Sequence, residues 1–232
     1  DGINFKNYFG TNFGDNGFFA GGGGGYGFSR NGYGGIGGGG GLTIPIIQNI
    51  AYPLPENYFD YENYRILVYN YTGEIENLSF TEDISCDILI LGGGGASGAS
   101  YDTNATFPGG GGAGGVLYVE KFVFEKDKLY KLYVGNGGID RNNGEDSKIL
   151  NDDESNIIFT DDSINFPLIG YGGGAGATYP NNGNNGGSGG GAASGKSYGN
   201  SIQRNAVCYK GEYISGGNNG APAASRLDSL GN

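Results

Sequence analysis

Three residue types are missing from this sequence: it contains no histidine, no methionine and no tryptophan. Histidine is the usual general base near neutral pH and the commonest metal ligand, so its absence argues against acid–base catalysis and a metal centre. We therefore expect no enzyme activity and no cofactor. Methionine is the initiator residue, so its absence predicts that the 232 residues begin after processing or belong to a longer product.

Basic residues and long apolar runs are also scarce. The chain has 13 Lys and Arg against 24 Asp and Glu, a formal net charge of −11. Phosphate binding needs a basic surface, so we expect no nucleic-acid partner. Apolar runs such as Ile88–Leu91 are far too short to span a bilayer, so we expect no membrane insertion.

Cysteine occurs only twice, at Cys86 and Cys208. Two alternatives stay open: two buried free thiols, or a disulfide that joins the first core strand to the last. On the entropy model such a disulfide would contribute about 4–5 kcal/mol, and it would imply an oxidising compartment. Sequons at Asn70, Asn77 and Asn104 permit N-glycosylation if a eukaryotic cell secretes the chain, although an Asn-rich sequence produces some sequons by chance.

Glycine, in contrast, occupies 52 positions, whereas an ordinary globular protein has roughly 7% glycine. Long glycine runs can form a threefold extended helix, with about 3.1 Å of rise per residue and with N–H and C=O groups that point outward to neighbours. Strands flank each run and would fix its ends, so we predict an ordered bundle of such polyglycine II helices. The main blocks lie at residues 21–25, 34–41, 92–95, 109–115, 172–176 and 186–195.

Between the glycine blocks, apolar and polar residues alternate as they do in β-strands, and no segment shows sustained helical periodicity. The clearest pair is Val116–Phe124 and Leu129–Val134, with a turn at Glu125–Lys128 between them. We predict strands at Leu42–Ile50, Tyr64–Asn70, Glu74–Phe80, Cys86–Leu91, Val116–Phe124, Leu129–Val134, Lys148–Leu150, Asn156–Thr160, Pro167–Tyr171, Ile202–Tyr209 and Glu212–Ser215.

An internal repeat indicates how the chain is organised. Asn16–Gly25 and Asn165–Gly174 both run from apolar residues straight into glycines. We therefore predict a glycine-rich segment over 1–48, the end of a preceding module, then a linker over 49–60 and a glycine-rich β module over 61–232. The alternative is a single domain with a glycine-rich N-terminal arm.

Two short motifs have ordinary explanations. Gly190–Ser197 fits the phosphate-loop pattern, but it lacks the strand before it and the helix after it that phosphate binding requires. Asp140–Asp146 suggests a calcium loop, yet its glycine falls one position early and no helices flank it, so we predict a surface hairpin turn. No pair of carboxylates is singled out for glycan hydrolysis.

The loops that interrupt the glycine blocks hold the candidate site. They are rich in Tyr, Asn and Ser, as binding loops are, because tyrosine supplies rigid contact area and small polar groups adapt. If the glycine helices form a stiff stalk, these loops are its tips and contact a receptor; otherwise they are capping turns. The candidate contact residues are Tyr101, Asp102, Asn104, Phe107, Tyr179, Asn181 and Tyr198.

The runs Asp87–Gly98, Gly109–Tyr118 and Leu129–Gly138 resemble the glycine-rich domain of bacteriophage tail-fibre adhesins and giant-virus surface proteins. Together with Phe122–Tyr130 and Pro167–Gly174, they also resemble the glycine-rich, tumour-necrosis-factor-like ectodomain of the anaplastic lymphoma and leukocyte tyrosine kinase receptors. The receptor resemblance implies a jelly-roll sandwich whose glycine insertions pack as threefold helices. This chain has only two cysteines and no kinase portion, so the fold carries over better than the receptor role.

These observations predict an all-β fold, a jelly-roll-like β-sandwich with glycine-rich insertions packed as polyglycine II helices. We expect a structural or adhesive component of a fibre or filament on an extracellular or virion surface. Its partners would be other copies, in a trimer or a head-to-tail filament, and a host surface glycan or protein at the loop tips. The alternatives are a ligand-binding ectodomain of a cell-surface receptor and, less favoured, a glycan-degrading fibre enzyme.

Overall fold

The computed structural model of the chain describes residues 3–4, 18–19, 41–46, 51–52, 57–61, 64–70, 72–73, 75–99, 107–161, 164–203, 206–207 and 213–223. All regular structure in these residues is β-strand, and no helix among them is long and apolar enough to cross a membrane. The strands are β1 (Ile3–Asn4), β2 (Phe18–Phe19), β3 (Gly41–Ile46), β4 (Ala51–Tyr52), β5 (Asn57–Tyr61), β6 (Tyr64–Tyr69), β7 (Ile75–Phe80), β8 (Ile84–Leu91), β9 (Val116–Phe124), β10 (Tyr130–Tyr133), β11 (Ser147–Asn151), β12 (Ile158–Asp161), β13 (Ile164–Pro167), β14 (Ile169–Gly170), β15 (Ala206–Val207) and β16 (Tyr213–Gly216).

Two antiparallel sheets build the body of the protein. The larger sheet has the strand order β15-β16-β9-β8-β3-β6-β5, and the smaller has the order β14-β11-β10-β7-β4. At the centre of the larger sheet, β8 and β9 pair from Ile84↔Phe124 to Leu91↔Val116, with an irregularity between Cys86 and Ile88. The remaining strands form the separate ribbons β1–β2 and β12–β13.

One hydrophobic core joins the two sheets. It combines side chains of the larger sheet, such as Ile88 and Val119, with side chains of the smaller sheet, such as Leu78 and Ile149, and all four are fully buried. Successive side chains of a strand point to opposite faces, so every second residue of β8 contributes to this core. Each buried Leu or Ile contributes roughly 1.5–3 kcal/mol, which is enough to hold the sheets face to face. The fold is an all-β sandwich, as predicted.

The predicted strands of the central region agree closely with the structure. The bounds of β9 are those that its alternating pattern predicts. Pro167–Tyr171 was expected to be one strand, but the chain forms β13 and β14 there, on either side of the fully buried Leu168. The reason is that β13 pairs with β12 whereas β14 pairs with β11, so the chain changes sheet at this residue.

The strands before residue 64 join the same sheets. β3 lies between β8 and β6 in the larger sheet, and β5 pairs with β6 at its edge. β4 and most of β5 fall in the predicted linker over 49–60. These strands were not predicted, because Pro53 and Pro55 interrupt the alternation of apolar and polar residues there. The division of the chain into modules stays a prediction.

Cys86 is a free thiol that is 2% exposed. Burial, with a smaller effect of the Asp87 carboxylate, raises the pKa of this thiol to about 12, so it stays protonated at neutral pH. Only the thiolate is a good nucleophile, and Cys86 is therefore unreactive in the folded chain. Cys208 lies outside the described residues, so its state stays a prediction.

The asparagines of two of the three sequons lie in the described residues. Asn70 and Asn77 are exposed, the first just after β6 and the second on β7. Asn104 lies outside the described residues. Glycosylation at these asparagines stays a prediction.

The burial of Cys86 can be tested in a Cys208→Ser variant, which leaves one thiol. We expect the native variant to react with a disulfide reagent at least about a thousandfold more slowly than the chain unfolded in guanidinium, because the raised pKa keeps the thiolate scarce. The absorbance of the released thiolate measures both rates. Equally fast labelling of the native and unfolded variant would show that Cys86 is open to solvent.

Candidate functional site

Glycine-rich segments extend from one end of the sandwich. The chain leaves β8 into residues 92–98 and returns through 109–115 into β9, and similar excursions follow β10 and β14. These segments belong to no sheet, and we call them rods. They are rod A (92–98), rod B (109–115), rod C (135–138), rod D (142–146), rod E (171–177), rod F (182–186), rod G (187–193), rod H (197–201) and rod I (217–221).

Hydrogen bonds between rods recur at every third residue. In a threefold helix, residues i and i+3 point in the same direction, so a given neighbour meets every third peptide group. This spacing identifies polyglycine II helices and confirms the predicted packing for the blocks at 92–95, 109–115, 172–176 and 186–195. The blocks at 21–25 and 34–40 lie outside the described residues. Between rods A and B, N–H groups donate to C=O groups from Gly92 to Gly115, from Gly95 to Gly112 and from Gly98 to Gly109, at 3.0, 2.8 and 2.9 Å.

Rod E lies at the centre of the bundle. Each N–H group from Tyr171 to Ala177 donates a hydrogen bond. Its N–H groups reach rods A and G, side chains of rod D and the side chain of Gln203, whereas its C=O groups accept from rods B, D, F and G. Buried backbone groups need partners, and rod E finds them on all sides although residues 172–177 are buried.

Gly173 shows why the rods need glycine. A Cβ at this position would overlap the carbonyl oxygen of Gly112 and lie 2.7 Å from both Ala113 O and Gly95 N. These atoms belong to the backbone of rods A and B, so they cannot move aside without breaking inter-rod hydrogen bonds. At Gly94, in contrast, a Cβ would meet only the Gly112 carbonyl oxygen, at 3.8 Å.

Rod D supports rod E with side chains. The Oδ1 atom of Asn143 accepts from the N–H of Ala175 at 2.9 Å, and Oδ1 of Asp146 accepts from the N–H of Gly172 at 2.8 Å. Donors and acceptors are both three residues apart, so the two side chains take the place of backbone carbonyls. The segment that the sequence presents as a calcium-loop motif is thus partly used for packing.

Rods F and H repeat this arrangement. Oδ1 of Asn182 accepts from Ser197 N–H at 3.1 Å, and Oδ1 of Asn185 accepts from Asn200 N–H at 2.7 Å. These acceptors were not predicted from the sequence. The signal that could have found them is Asn or Asp at a spacing of three beside a glycine block.

Gln203 closes the junction between the sandwich and the bundle. This residue is 6% exposed. Its side-chain Oε1 accepts from the N–H of Tyr171 at 3.0 Å, and its Nε2 donates to Ser215 Oγ at 2.9 Å. A Cβ on Gly115 would overlap the same amide. Gln203 therefore fixes where rods B and E leave the sandwich.

The rods end together at the far end of the bundle. Rods A, B, E and G end at the same level along the bundle, because hydrogen bonds join the residues at this end. These bonds run from Gly98 N to Gly109 O, from Gly109 N to Ala177 O and from Ala177 N to Gly191 O. The connecting segments at this level therefore meet one another. We call them the distal loops: they comprise the described residues 99, 107–108, 178–182 and 194–198, and so include the first residues of rods F and H. The bonds that join them run from Ala99 N to Thr178 Oγ1 at 3.0 Å, from Ser194 N to Phe107 O at 3.3 Å and from Ser197 N to Asn182 Oδ1 at 3.1 Å.

The distal loops contain every predicted contact residue that the structure describes. Phe107, Tyr179 and Tyr198 are 37%, 52% and 40% exposed, and Asn181 is exposed as well. Lys196, which the sequence analysis did not single out, places its Nζ 5.1 Å from the centroid of the Tyr179 ring. Tyr101, Asp102 and Asn104 lie outside the described residues.

Apart from the distal loops, a concave surface with a volume of about 430 Å³ lies where rods C and D meet the sandwich. The Tyr133 hydroxyl donates to Glu145 Oε2 at 2.5 Å, and the side chain of Asn136 donates to it at 2.9 Å. These bonds hold the pKa of the Glu145 carboxyl below its usual value, whereas a general acid needs a raised pKa. No group of three or more His, Cys, Asp or Glu side chains in the described part of the chain could hold a metal ion.

A model of the glycine-rich domain family matches residues 72–231, more than half of the chain. The chain belongs to the glycine-rich domain family. Neither the comparison with curated proteins nor that with solved structures gives a match. The comparisons support the glycine-rich domain that the resemblance implies, and they say nothing of phage fibres, giant viruses or receptor kinases.

The need for bare backbone in this glycine-rich domain can be tested with two alanine substitutions. Gly173→Ala should destabilise the fold by about 3 kcal/mol or more, because the methyl group must displace backbone in two rods. Gly94→Ala, the matched control, should change stability by at most about 1 kcal/mol and could increase it, since alanine reduces the freedom of the unfolded chain. Urea unfolding followed by tyrosine fluorescence measures both. Equal effects of the two substitutions would contradict the packing described above.

The side-chain acceptors of the glycine-rich domain give a second test. Asn143→Ala leaves the buried N–H of Ala175 without its acceptor, which should cost about 1–3 kcal/mol and speed hydrogen exchange of that amide. Asn142→Ala is the matched control, because the exposed side chain of the neighbouring asparagine makes no hydrogen bond within the described residues. Exchange measured by NMR at Ala175 separates the two, and unchanged protection in Asn143→Ala would refute the role of this side chain.

Proposed function

We propose that this glycine-rich domain is a structural or adhesive component of a fibre or filament on an extracellular or virion surface. The rod bundle is the stiff element, the sandwich anchors it, and the distal loops contact a host surface glycan or protein. The net charge of −11 supports a partner other than nucleic acid.

The observation that carries this proposal is that every N–H group of rod E, from Tyr171 to Ala177, donates a hydrogen bond. Its N–H groups donate in several directions to surrounding rods and side chains, and the rods approach too closely for side chains to lie between them. Interiors packed in this way have few alternative arrangements, so the bundle holds its shape under load. Such a bundle is suited to holding the distal loops at a fixed distance from the sandwich. It offers few converging side chains that could bind or transform a small molecule.

The distal loops supply the adhesive part of the proposal. Exposed aromatic side chains beside asparagines are typical of binding loops, where tyrosine loses little conformational entropy on contact. The bonds between loops hold these side chains in place before a partner arrives, and such preorganisation lowers the cost of binding.

Strand edges supply the assembly part. Within the described residues, β5 and β15 are the edges of the larger sheet. An edge strand presents unpaired N–H and C=O groups that can pair with another copy. Repeated contacts between unlike surfaces give a filament, or a closed trimer where the rotation allows it.

The proposal predicts that the purified 232-residue chain self-associates. Negative-stain electron microscopy should show regular fibres or trimers, and sedimentation velocity should show a size that increases with concentration. A Phe107→Ser/Tyr198→Ser variant should assemble in the same way, because assembly uses strands and rods rather than the distal loops.

Val123→Ser/Ile158→Ser is the matched control for lost apolar surface, since both side chains are exposed outside the distal loops, on β9 and β12. Its assembly should also match that of the unaltered chain. Monodisperse monomer at every concentration tested would refute the fibre and favour a ligand-binding ectodomain.

A further inference from the structure

The described part of the distal loops contains one charged side chain, Lys196. It is the only charged residue between Asp162 and Arg204, in a chain whose net charge is −11. No carboxylate of the described residues forms an ion pair with it. Asp102 lies outside the described residues. The described tip is therefore a positive spot on an acidic protein.

This charge is well separated from the carboxylates of the sandwich. Seven residues of a threefold helix span roughly 19 Å, and rod E has this length. Charges are screened beyond about 8 Å at physiological ionic strength. An anionic partner at the tip is therefore little affected by the negative charge of the sandwich. The bundle also carries Asp140, Arg141, Glu145 and Asp146, on rod D and in the turn before it, and Lys196 is the charge that lies within the distal loops.

An exposed aromatic face and an amide accompany this charge. The Nζ atom of Lys196 lies 5.1 Å from the centroid of the Tyr179 ring, which is 52% exposed, and Asn181 is exposed two residues further on. Backbone bonds fix both loops: Asn181 N–H donates to Thr178 O at 2.7 Å, and Lys196 N–H donates to Ala193 O at 2.9 Å.

We propose that Tyr179, Asn181 and Lys196 form a subsite for an acidic sugar, a pyranose ring that bears a carboxylate, within a surface glycan. This inference rests on the proposed adhesive function and names the chemistry of its partner. The Lys196 ammonium group lies over part of the Tyr179 ring. The sugar ring therefore packs against the part of the tyrosine that stays exposed, its carboxylate pairs with the ammonium group beside it, and the asparagine amide bonds sugar hydroxyls. The positive charge favours an anionic ligand, and the half-exposed aromatic ring favours a sugar over a small inorganic anion.

Isothermal titration calorimetry with defined trisaccharides tests the subsite. The probes are trigalacturonate, an α2,8-linked trimer of N-acetylneuraminate, the methyl ester of trigalacturonate and neutral maltotriose. We expect the two acidic trimers to bind, and the ester and the neutral trimer to bind roughly fivefold or more weakly, since they lack the charge that Lys196 pairs with.

Variants separate the contributions of the three side chains. Lys196→Gln should weaken binding of the acidic trimers roughly fivefold and leave the ester unaffected. Tyr179→Ala should weaken every probe roughly tenfold, whereas Tyr179→Phe should retain the stacking. Lys126→Gln is the matched control, because Lys126 is exposed in the turn after β9, at the end of the sandwich away from the rods.

Two results would overturn the subsite. Equal affinity for trigalacturonate and its ester would show that the carboxylate is not recognised. Failure of the folded chain, checked by circular dichroism, to bind any trisaccharide would exclude a glycan at this position. Either result leaves the fibre proposal standing if electron microscopy shows assembly, so the two failures can be told apart.

Discussion

Backbone hydrogen bonding between rods is the constraint on which the rest of this structure depends. Ordering one residue costs roughly 1–2 kcal/mol of backbone entropy, and glycine has the most freedom to lose. A net hydrogen bond contributes only about 0.5–1.5 kcal/mol, and the rods bury few side chains that could offset the remainder. A free glycine run of this length would therefore stay disordered. The bundle forms because its rods begin and end in strands that are already fixed, so much of the ordering cost is met by the sandwich.

The residues between the sandwich and the rods show how the strands position the bundle. Gln203 holds the start of rod E and leaves no room for a side chain at Gly115. The fully buried Ser147 accepts from the first N–H of rod C, on Gly135, at 3.0 Å. These polar side chains satisfy backbone groups where strand pairing stops and threefold packing begins. The position of each rod is thereby set by the strands, and a shift of one residue in a strand would remove the every-third-residue match between rods.

Part of this architecture follows from the sequence. The alternation in Val116–Phe124 gives the bounds of β9, and the glycine blocks give rods A, B, E and G, because in both cases the signal is local. The other rods were not predicted, since they contain fewer glycines and 140–146 resembles a hairpin turn. The change of sheet at Leu168 and the strand β5 were not predicted, since they depend on partners that are distant in sequence. In the distal loops, composition pointed to the exposed tyrosines, but it could not show that Lys196 lies beside Tyr179.

Backbone packing between rods also explains how the bundle and the distal loops can have separate roles. Rods A, B and E contact one another through backbone atoms, so their packing does not depend on which side chains the loops carry. The loops need only return the chain at the correct level, which the bonds between Gly98, Gly109 and Ala177 set. Substitutions of exposed residues such as Tyr179 and Tyr198 therefore act on contact chemistry with little effect on the scaffold. A fibre protein benefits from this separation, because its binding surface can change while the element that presents it stays rigid.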